Sequence, residues 1–204
     1  MFASRPTLRI VVLAAGFSTR LGEPKALARV RGLSLIRKTV RLLTPLTASA
    51  IVVVIPPKAT RTRVELRDHR VTFVTNPRRA SGLSSSVRRG LGAARSSAAV
   101  LLLPVDLAQL KRRDLERMIA RWRGARRRVI ARRLGKHGGT PLILPRWLYA
   151  RALGISGDGG LKELVGRLPP EDLVLLTLPT AAWDVDTPRD LAHARRCRRT
   201  APDD

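Results

Sequence analysis

The densest concentration of phosphate-handling chemistry in this 204-residue sequence is one run, Ala14-Ala15-Gly16-Phe17-Ser18-Thr19-Arg20-Leu21-Gly22-Glu23-Pro24-Lys25. Gly16 lets a backbone approach a phosphate closely, the hydroxyls of Ser18 and Thr19 and the loop N–H groups can donate to phosphoryl oxygens, and Arg20 and Lys25 supply positive charge. A bare turn needs fewer such groups. The spacing fits neither G-x-x-x-x-G-K-[ST] nor G-x-G-x-x-G, which disfavours a P-loop NTPase or a dinucleotide-binding domain.

Acidic residues number only 15 against 40 basic ones, so carboxylates at the ends of apolar runs stand out. Asp106 follows the run Ala98–Leu103 and Pro104. A carboxylate there can hold a Mg²⁺ that bridges triphosphate oxygens, because Mg²⁺ favours oxygen donors, keeps water and needs only one or two protein carboxylates. A loop or helix-capping aspartate is the competing role. Asp184-Val185-Asp186-Thr187-Pro188 places two carboxylates at alternate positions of an extended segment, on the same side of it. Thr187 and Pro188 also mark a helix start that Asp186 could cap. Asp158, within Gly157-Asp158-Gly159-Gly160, precedes a helical pattern and is expected to cap it in preference to touching substrate. Asn76, Gly82, Ser85 and Ser86 lie where a turn gives way to a helix; they offer hydroxyls and N–H groups to a base or ribose, or ordinary capping through Ser84 or Ser85. His137, in a glycine-rich segment, is a further candidate substrate contact. His69 and His193 have no partner pattern, Cys197 falls in a basic tail, and no Cys/His spacing suggests zinc.

Holding these residues together requires a particular scaffold. Aliphatic runs at Leu8–Ala14, Ile51–Ile55, Val71–Thr75, Ala98–Leu103 and Arg128–Arg132 predict strands of a sheet covered on both faces. Between them, Ala26–Leu43, Arg61–Arg67, Ser84–Arg95 and Arg112–Arg123 predict helices, an alternation that specifies a doubly wound sheet. Ligands bind such sheets at the carboxyl ends of the strands, where the loop of residues 14–25 and Asp106 both fall. Beyond residue 134 the rhythm changes: a strand over Pro141–Leu144, short helices over Pro145–Leu153 and Gly159–Arg167, a strand over Leu173–Leu178 and a closing helix over Thr187–Arg199. No repeat or low-complexity linker interrupts the chain. A single three-layer α/β/α domain over 1–204 with a Rossmann-like, mostly parallel sheet is expected, its core at about 8–195 and a short basic tail behind it.

Composition agrees with that architecture. Apolar residues make up 44% of the chain and aromatics 3%, so Leu, Val, Ile and Ala must build the core. A lone cysteine excludes an internal disulfide, and no apolar run reaches the roughly 18 residues of a membrane span, so a cytoplasmic protein without a membrane partner is expected. The formal charge of +25 suggests polyanions, yet 34 of the basic residues are arginines scattered along the chain, with neither stacking aromatics nor a distinct basic helix face. Specific nucleic-acid binding is therefore not expected; a basic binding protein with a degenerate site is the alternative from another class.

The run Leu13–Lys25, LAAGFSTRLGEPK, resembles the signature L-A-[AG]-G-x-S-x-R-[ML]-G-x-x-K of the nucleotidyltransferases that include molybdenum-cofactor cytidylyltransferase and guanylyltransferase and, more distantly, the sugar-phosphate and methylerythritol cytidylyltransferases. NPRRASGLSSSVRRGL at 76–91, LLLPVDL at 101–107, GGTPLILP at 138–145, GDGGLKELV at 157–165 and WDVDTPRDL at 183–191 follow in family order. The resemblance covers about residues 8–195 and implies the nucleotide-diphospho-sugar transferase type of sheet. It implies Mg²⁺-dependent transfer of a nucleotidyl group, with Lys25, Arg20 and Asp106 catalytic and Asp106 and Asp186 on the metal. Leu13, Ala14, Ala15, Gly16, Ser18, Thr19, Arg20, Lys25, Asn76, Gly82, Ser85 and Ser86 would bind the nucleotide. The implied partners are CTP, because alanine stands at position 15 where members selective for GTP carry glycine, and a phosphorylated acceptor, molybdopterin foremost, with a molybdoenzyme or accessory protein beyond it. A molybdenum-cofactor guanylyltransferase or a sugar-phosphate enzyme is the alternative. The chain departs from the family at Leu107-Ala108, which replaces Met-Pro or Gln-Pro, and at Gly139-Thr140-Pro141, where many members have Gly-His-Pro.

Overall fold

The computed structural model describes residues 7–181 and 183–197. In chain order the strands are β1 (Leu8–Leu13), the two-residue strands β2 (Arg29–Val30) and β3 (Leu33–Ser34), β4 (Ile51–Ile55), β5 (Val71–Thr75), β6 (Ala99–Pro104), β7 (Val129–Leu134), β8 (His137–Pro145) and β9 (Leu173–Leu176). The helices are α1 (Leu35–Leu43), α2 (Thr60–Glu65), α3 (Leu83–Ala93), α4 (Arg112–Gly124), α5 (Tyr149–Leu153), α6 (Gly160–Gly166) and α7 (Pro188–Arg196).

Seven strands form one sheet in the order β5-β4-β1-β6-β8-β7-β9. β1 pairs in parallel with β4 on one side and β6 on the other, so chain connections diverge from β1 and open a crevice at its carboxyl end. The sheet is mostly parallel: β8 runs antiparallel to both β6 and β7, while β9 runs parallel to β7. Period-two alternation sends Ile10 and Val12 to one face and Val11 and Leu13 to the other. The first face carries Leu35, Ile36 and Val40 of α1, Leu115, Met118 and Trp122 of α4, and Leu191 of α7. The second carries Val87 and Leu91 of α3, Tyr149 of α5 and Leu161 and Val165 of α6. Continuous aliphatic strands were the signal for this two-sided burial, and every residue of β4 is buried.

The expected helix over 26–43 is broken. A 3₁₀ turn at Lys25–Leu27 leads into a hairpin of β2 and β3, whose turn residues Arg31 and Gly32 both have positive φ, 54° and 80°. That geometry requires a residue free of Cβ strain in at least one turn position, and Gly32 supplies it. α1 starts only at Leu35, where the Ser34 hydroxyl accepts the Arg37 N–H at 3.3 Å. The strand expected at 141–144 begins four residues earlier, because His137, Gly138 and Gly139 pair with Leu134, Arg133 and Arg132 of β7. The closing helix is described to Arg196; the expected basic tail from 198 onward lies outside the described residues. No helix among the described residues is long and apolar enough to cross a membrane.

Candidate active site

The loop after β1 folds back on Ser18. This residue has φ 57°, its carbonyl accepts the Leu21 N–H at 3.1 Å, and its hydroxyl accepts the Lys25 backbone N–H at 2.8 Å. The loop thus closes over its own serine, and Lys25 is carried to the mouth of the sheet. Asp106 arrives from the adjacent strand end: Val105 N–H donates to the Leu13 carbonyl at 3.3 Å, continuing the β1–β6 pairing one residue beyond the strand. From α1, Lys38 Nζ donates to the Ala108 carbonyl and supports the turn after Asp106.

Asp186 comes from 80 residues further along the chain, and a backbone bond brings it in. The Asp106 carbonyl accepts the Val185 N–H at 3.0 Å, and Val185 is buried in the core, so its neighbours Asp184 and Asp186 face the opposite way. Upstream, the buried Asp114 accepts from the Thr180 hydroxyl at 2.6 Å and its N–H at 3.2 Å, securing this segment to α4. Downstream, Thr187 and Asp190 form a capping box at the start of α7. Thr187 therefore caps the helix, correcting the expectation that Asp186 could do so; the Asp186 carboxylate is left for the site.

Lys25 Nζ donates to Asp106 Oδ2 at 2.9 Å and to Asp186 Oδ1 at 2.6 Å, and Arg20 donates to Asp186 Oδ2 at 3.1 Å. Partial burial by itself lowers the lysine pKa, but the two touching carboxylates outweigh it and hold the ammonium above its ordinary value. Asp184 points to Arg132, a buried guanidinium on β7, at 3.3 Å. Burial raises the Asp184 carboxyl above its usual range, neighbouring Asp106 adds to the rise, and Arg132 opposes it.

The donor set fits a hard divalent cation. Asp106 Oδ1 is buried with no hydrogen-bond partner, a costly state for a carboxylate oxygen unless something else is to meet it. Among the described residues no three His, Cys, Asp or Glu converge as a ready cage. An ion of the Mg²⁺ type needs only one or two carboxylates and completes its shell with water and substrate phosphates.

Above these residues opens a cleft of about 830 Å³, bounded by the loop of 14–20, the β4–α2 connection at 56–62, the turn of 79–83, and the carboxylates of Asp106, Asp158 and Asp186. Leu13, Ala14, Ala15, Gly16, Ser18, Thr19, Arg20, Lys25, Gly82 and Ser86 all line it. At Gly16 no atom lies within 4 Å of where a Cβ would stand, leaving open space above the backbone.

Asn76 and Ser85 do not line the cleft. Asn76 is fully buried; its amide donates to the Ser85 and Ser86 hydroxyls at 2.8 and 2.9 Å and its Oδ1 accepts the Arg78 N–H, so it ties the turn to α3 from below. Asp158 caps a helix, but not its own: its Oδ1 accepts the Leu83 N–H at 2.7 Å at the start of α3. Gly82 is what permits that approach, with φ +82° and a built Cβ only 2.6 Å from the Gly157 carbonyl carbon. His137 is exposed at the β7–β8 turn, away from the cleft. Two further features lack any local sequence signal. Arg132 is one basic residue of many until the fold buries it beside Asp184. Arg79 stacks on Phe17 with its guanidinium carbon 4.0 Å from the ring centre, joining the glycine loop to the 79–83 turn across the cleft mouth.

Residues 10–172 match the family described as the MobA-like NTP transferase domain. No curated protein matches the sequence significantly. Among solved structures, Rv0371c from Mycobacterium tuberculosis superposes with a TM-score of 0.77 at 24% identity, covering 96% of this chain and 100% of that one. Its manganese complex matches with a TM-score of 0.72 at 23% identity, over 94% of this chain and 99% of that one. A nucleotidyl transferase from Methanothermobacter, Mth528, gives 0.76 at 24% identity over 92% of this chain and 95% of that one. Molybdopterin-guanine dinucleotide biosynthesis protein A from Archaeoglobus fulgidus gives 0.70 at 15% identity, over 92% and 96%. At these identities the structural likeness is one of fold.

Proposed function

Because the chain belongs to the MobA-like NTP transferase family and is a nucleotidyltransferase, we propose that it transfers CMP from CTP to a phosphorylated acceptor, molybdopterin foremost, and releases pyrophosphate. The observation that carries this reading is the meeting of Lys25, Asp106 and Asp186 on the floor of the cleft roofed by the glycine loop. An oxygen of the acceptor phosphate attacks the α-phosphorus of the nucleotide. As that P–O bond forms, the bond from the α-phosphorus to the bridging oxygen breaks and pyrophosphate departs. The transfer asks for little covalent help from protein; positioning and charge neutralisation carry it. Gly16, Ser18 and Thr19 seat the phosphates, and Arg20 and Lys25 neutralise them. Asn76 positions Ser86 and the 76–82 turn without itself meeting the base. Asp106 and Asp186 would hold a divalent cation, Mg²⁺ in this reading, which would offset charge developing on the triphosphate. The manganese complex of the mycobacterial neighbour agrees with such an ion.

The cytidine preference rests on Ala15, which lines the cleft at the end of β1 with almost no exposed surface; in this reading its methyl group limits the room for a purine and leaves a pyrimidine unhindered. One methyl discriminates by ~1–3 kcal/mol, or roughly 10–200-fold. A pyrophosphate-release screen of the four NTPs against molybdopterin and sugar phosphates tests both substrates. CTP with molybdopterin is the expected pair, and Ala15→Gly should narrow the CTP-over-GTP ratio. A wild-type preference for GTP overturns the cytidylyl assignment and leaves nucleotidyl transfer standing.

A further inference from the structure

Resting on the metal assignment proposed above, we infer that the Lys25 ammonium is the resting occupant of the divalent-cation position, competing with free metal until a triphosphate draws it off the two carboxylates. Three of the four oxygens of Asp106 and Asp186 are engaged by cations: Lys25 holds one from each, and Arg20 holds the other oxygen of Asp186. Two carboxylates facing two cations leave almost no net charge to attract a free divalent ion. An incoming metal must also separate the lysine from counter-ions in a site where the lysine and Asp106 side chains are only 16% and 18% exposed. That exchange strips a partly buried ammonium of its partners, which is costly.

A triphosphate changes the balance. Lys25 and Arg20 line the same cleft as Gly16, Ser18 and Thr19, so phosphates seated on that loop offer the ammonium new oxygens within the cavity it already occupies. The Lys25 backbone need not move, being held by the Ser18 hydroxyl; rotation of the side chain suffices. Its departure returns both carboxylates to the metal, with Asp106 Oδ1 already unpartnered. Metal and nucleotide then favour each other's binding through this one side chain. A lysine that met only phosphate, out of contact with Asp106 and Asp186, would leave nucleotide-free metal binding nearly unchanged when removed. A lysine occupying the metal position would, on removal, strengthen it.

The experiment is a Mn²⁺ titration of the nucleotide-free full chain, followed by electron paramagnetic resonance, for wild type, Lys25→Met, Lys25→Gln and the double variant Lys25→Met/Asp106→Asn. Both single variants are expected to bind one Mn²⁺ about tenfold or more tighter than wild type, within the usual range of site-to-site coupling. The double variant should lose that gain. In thermal melts Mn²⁺ should raise the Tm of the single variants more than that of wild type, since ligand binding stabilises in proportion to affinity. Equal Mn²⁺ affinity in wild type and both single variants overturns the inference, while loss of binding in the double variant would keep the metal assignment. Absence of Mn²⁺ binding in every nucleotide-free protein overturns the inference, and its absence again with CTP present overturns the metal assignment, without touching the pyrophosphate-release result.

Discussion

Lys25, Asp106 and Asp186 are assembled from three distant points in the chain at some energetic expense. A partly buried ammonium between two carboxylates contributes little net stability, because desolvation offsets much of the Coulomb attraction. Its value is chemical. Asp106→Asn and Asp186→Asn are each predicted to reduce pyrophosphate release by roughly a hundredfold or more while leaving the melting temperature close to wild type. Neither side chain packs in the core, and in each variant Lys25 keeps the other carboxylate. Near wild-type turnover at limiting Mg²⁺ in either variant would remove that aspartate from the metal set.

Elements one step removed hold these side chains in place. α1 supplies Lys38 beneath the Asp106 turn, and its own start depends on the fully buried Ser34, whose hydroxyl accepts from Arg37 and donates to Glu65 at 2.7 Å. Ser34→Ala is predicted to lower stability by about 1–2 kcal/mol in urea melts, from the lost cap and a partly buried carboxylate contact, with the rate of nucleotidyl transfer unchanged. On the other face of the sheet, α5 is clasped by Tyr149, whose hydroxyl lies 3.1 Å from the Ser97 hydroxyl. Burial pushes this phenol up to about 12 from an ordinary 10, although Ser97 opposes the rise. The unfolded chain ionises first, so this contribution is intact below pH 10 and stability falls as pH climbs towards 12. Tyr149 is the only tyrosine, so tyrosinate absorbance reports it directly: the midpoint should lie near 12 or coincide with alkaline unfolding. A midpoint near 10 would show the hydroxyl to be solvated.

Over the whole molecule, a formal charge of +25 far exceeds what the cleft uses. The catalytic reading needs Arg20 and Lys25; most of the 34 arginines lie elsewhere. Such a surface attracts polyanions without selecting among their sequences. The protein is predicted to retain DNA or RNA at low ionic strength and to release it steeply as salt rises, the slope reporting the phosphates neutralised. A salt-dependent gel-shift series on unrelated sequences checks this. Pyrophosphate release should persist at salt concentrations that have already stripped the nucleic acid. Sequence-selective binding surviving at physiological salt would instead favour a nucleic-acid function.

Local sequence determined the strands and the glycine loop. Continuous aliphatic runs can be satisfied only inside a two-sided sheet, so β1, β4 and β6 were legible, and β-branched residues marked the partly exposed edge strand β5; the position of residues 14–25 and Asp106 at the carboxyl ends followed. The β2–β3 hairpin was not, because Leu27, Val30, Leu33 and Ile36 repeat at helical spacing and the Arg31-Gly32 turn is a weak local signal. Tertiary structure alone decided how the carboxylates are used. Asp158 sits among glycines while Asp184 and Asp186 flank Val185 in one extended segment, and none of the three carries a local mark of the side chain it meets. Which caps a neighbouring helix, which meets a buried arginine and which reaches Lys25 depends on contacts across the fold. The Val185–Asp106 backbone bond and the approach of Gly82 to the 157–158 turn made that choice. A side chain's partner is set by three-dimensional neighbours that sequence spacing does not encode, whereas a strand's burial is set by its own residues.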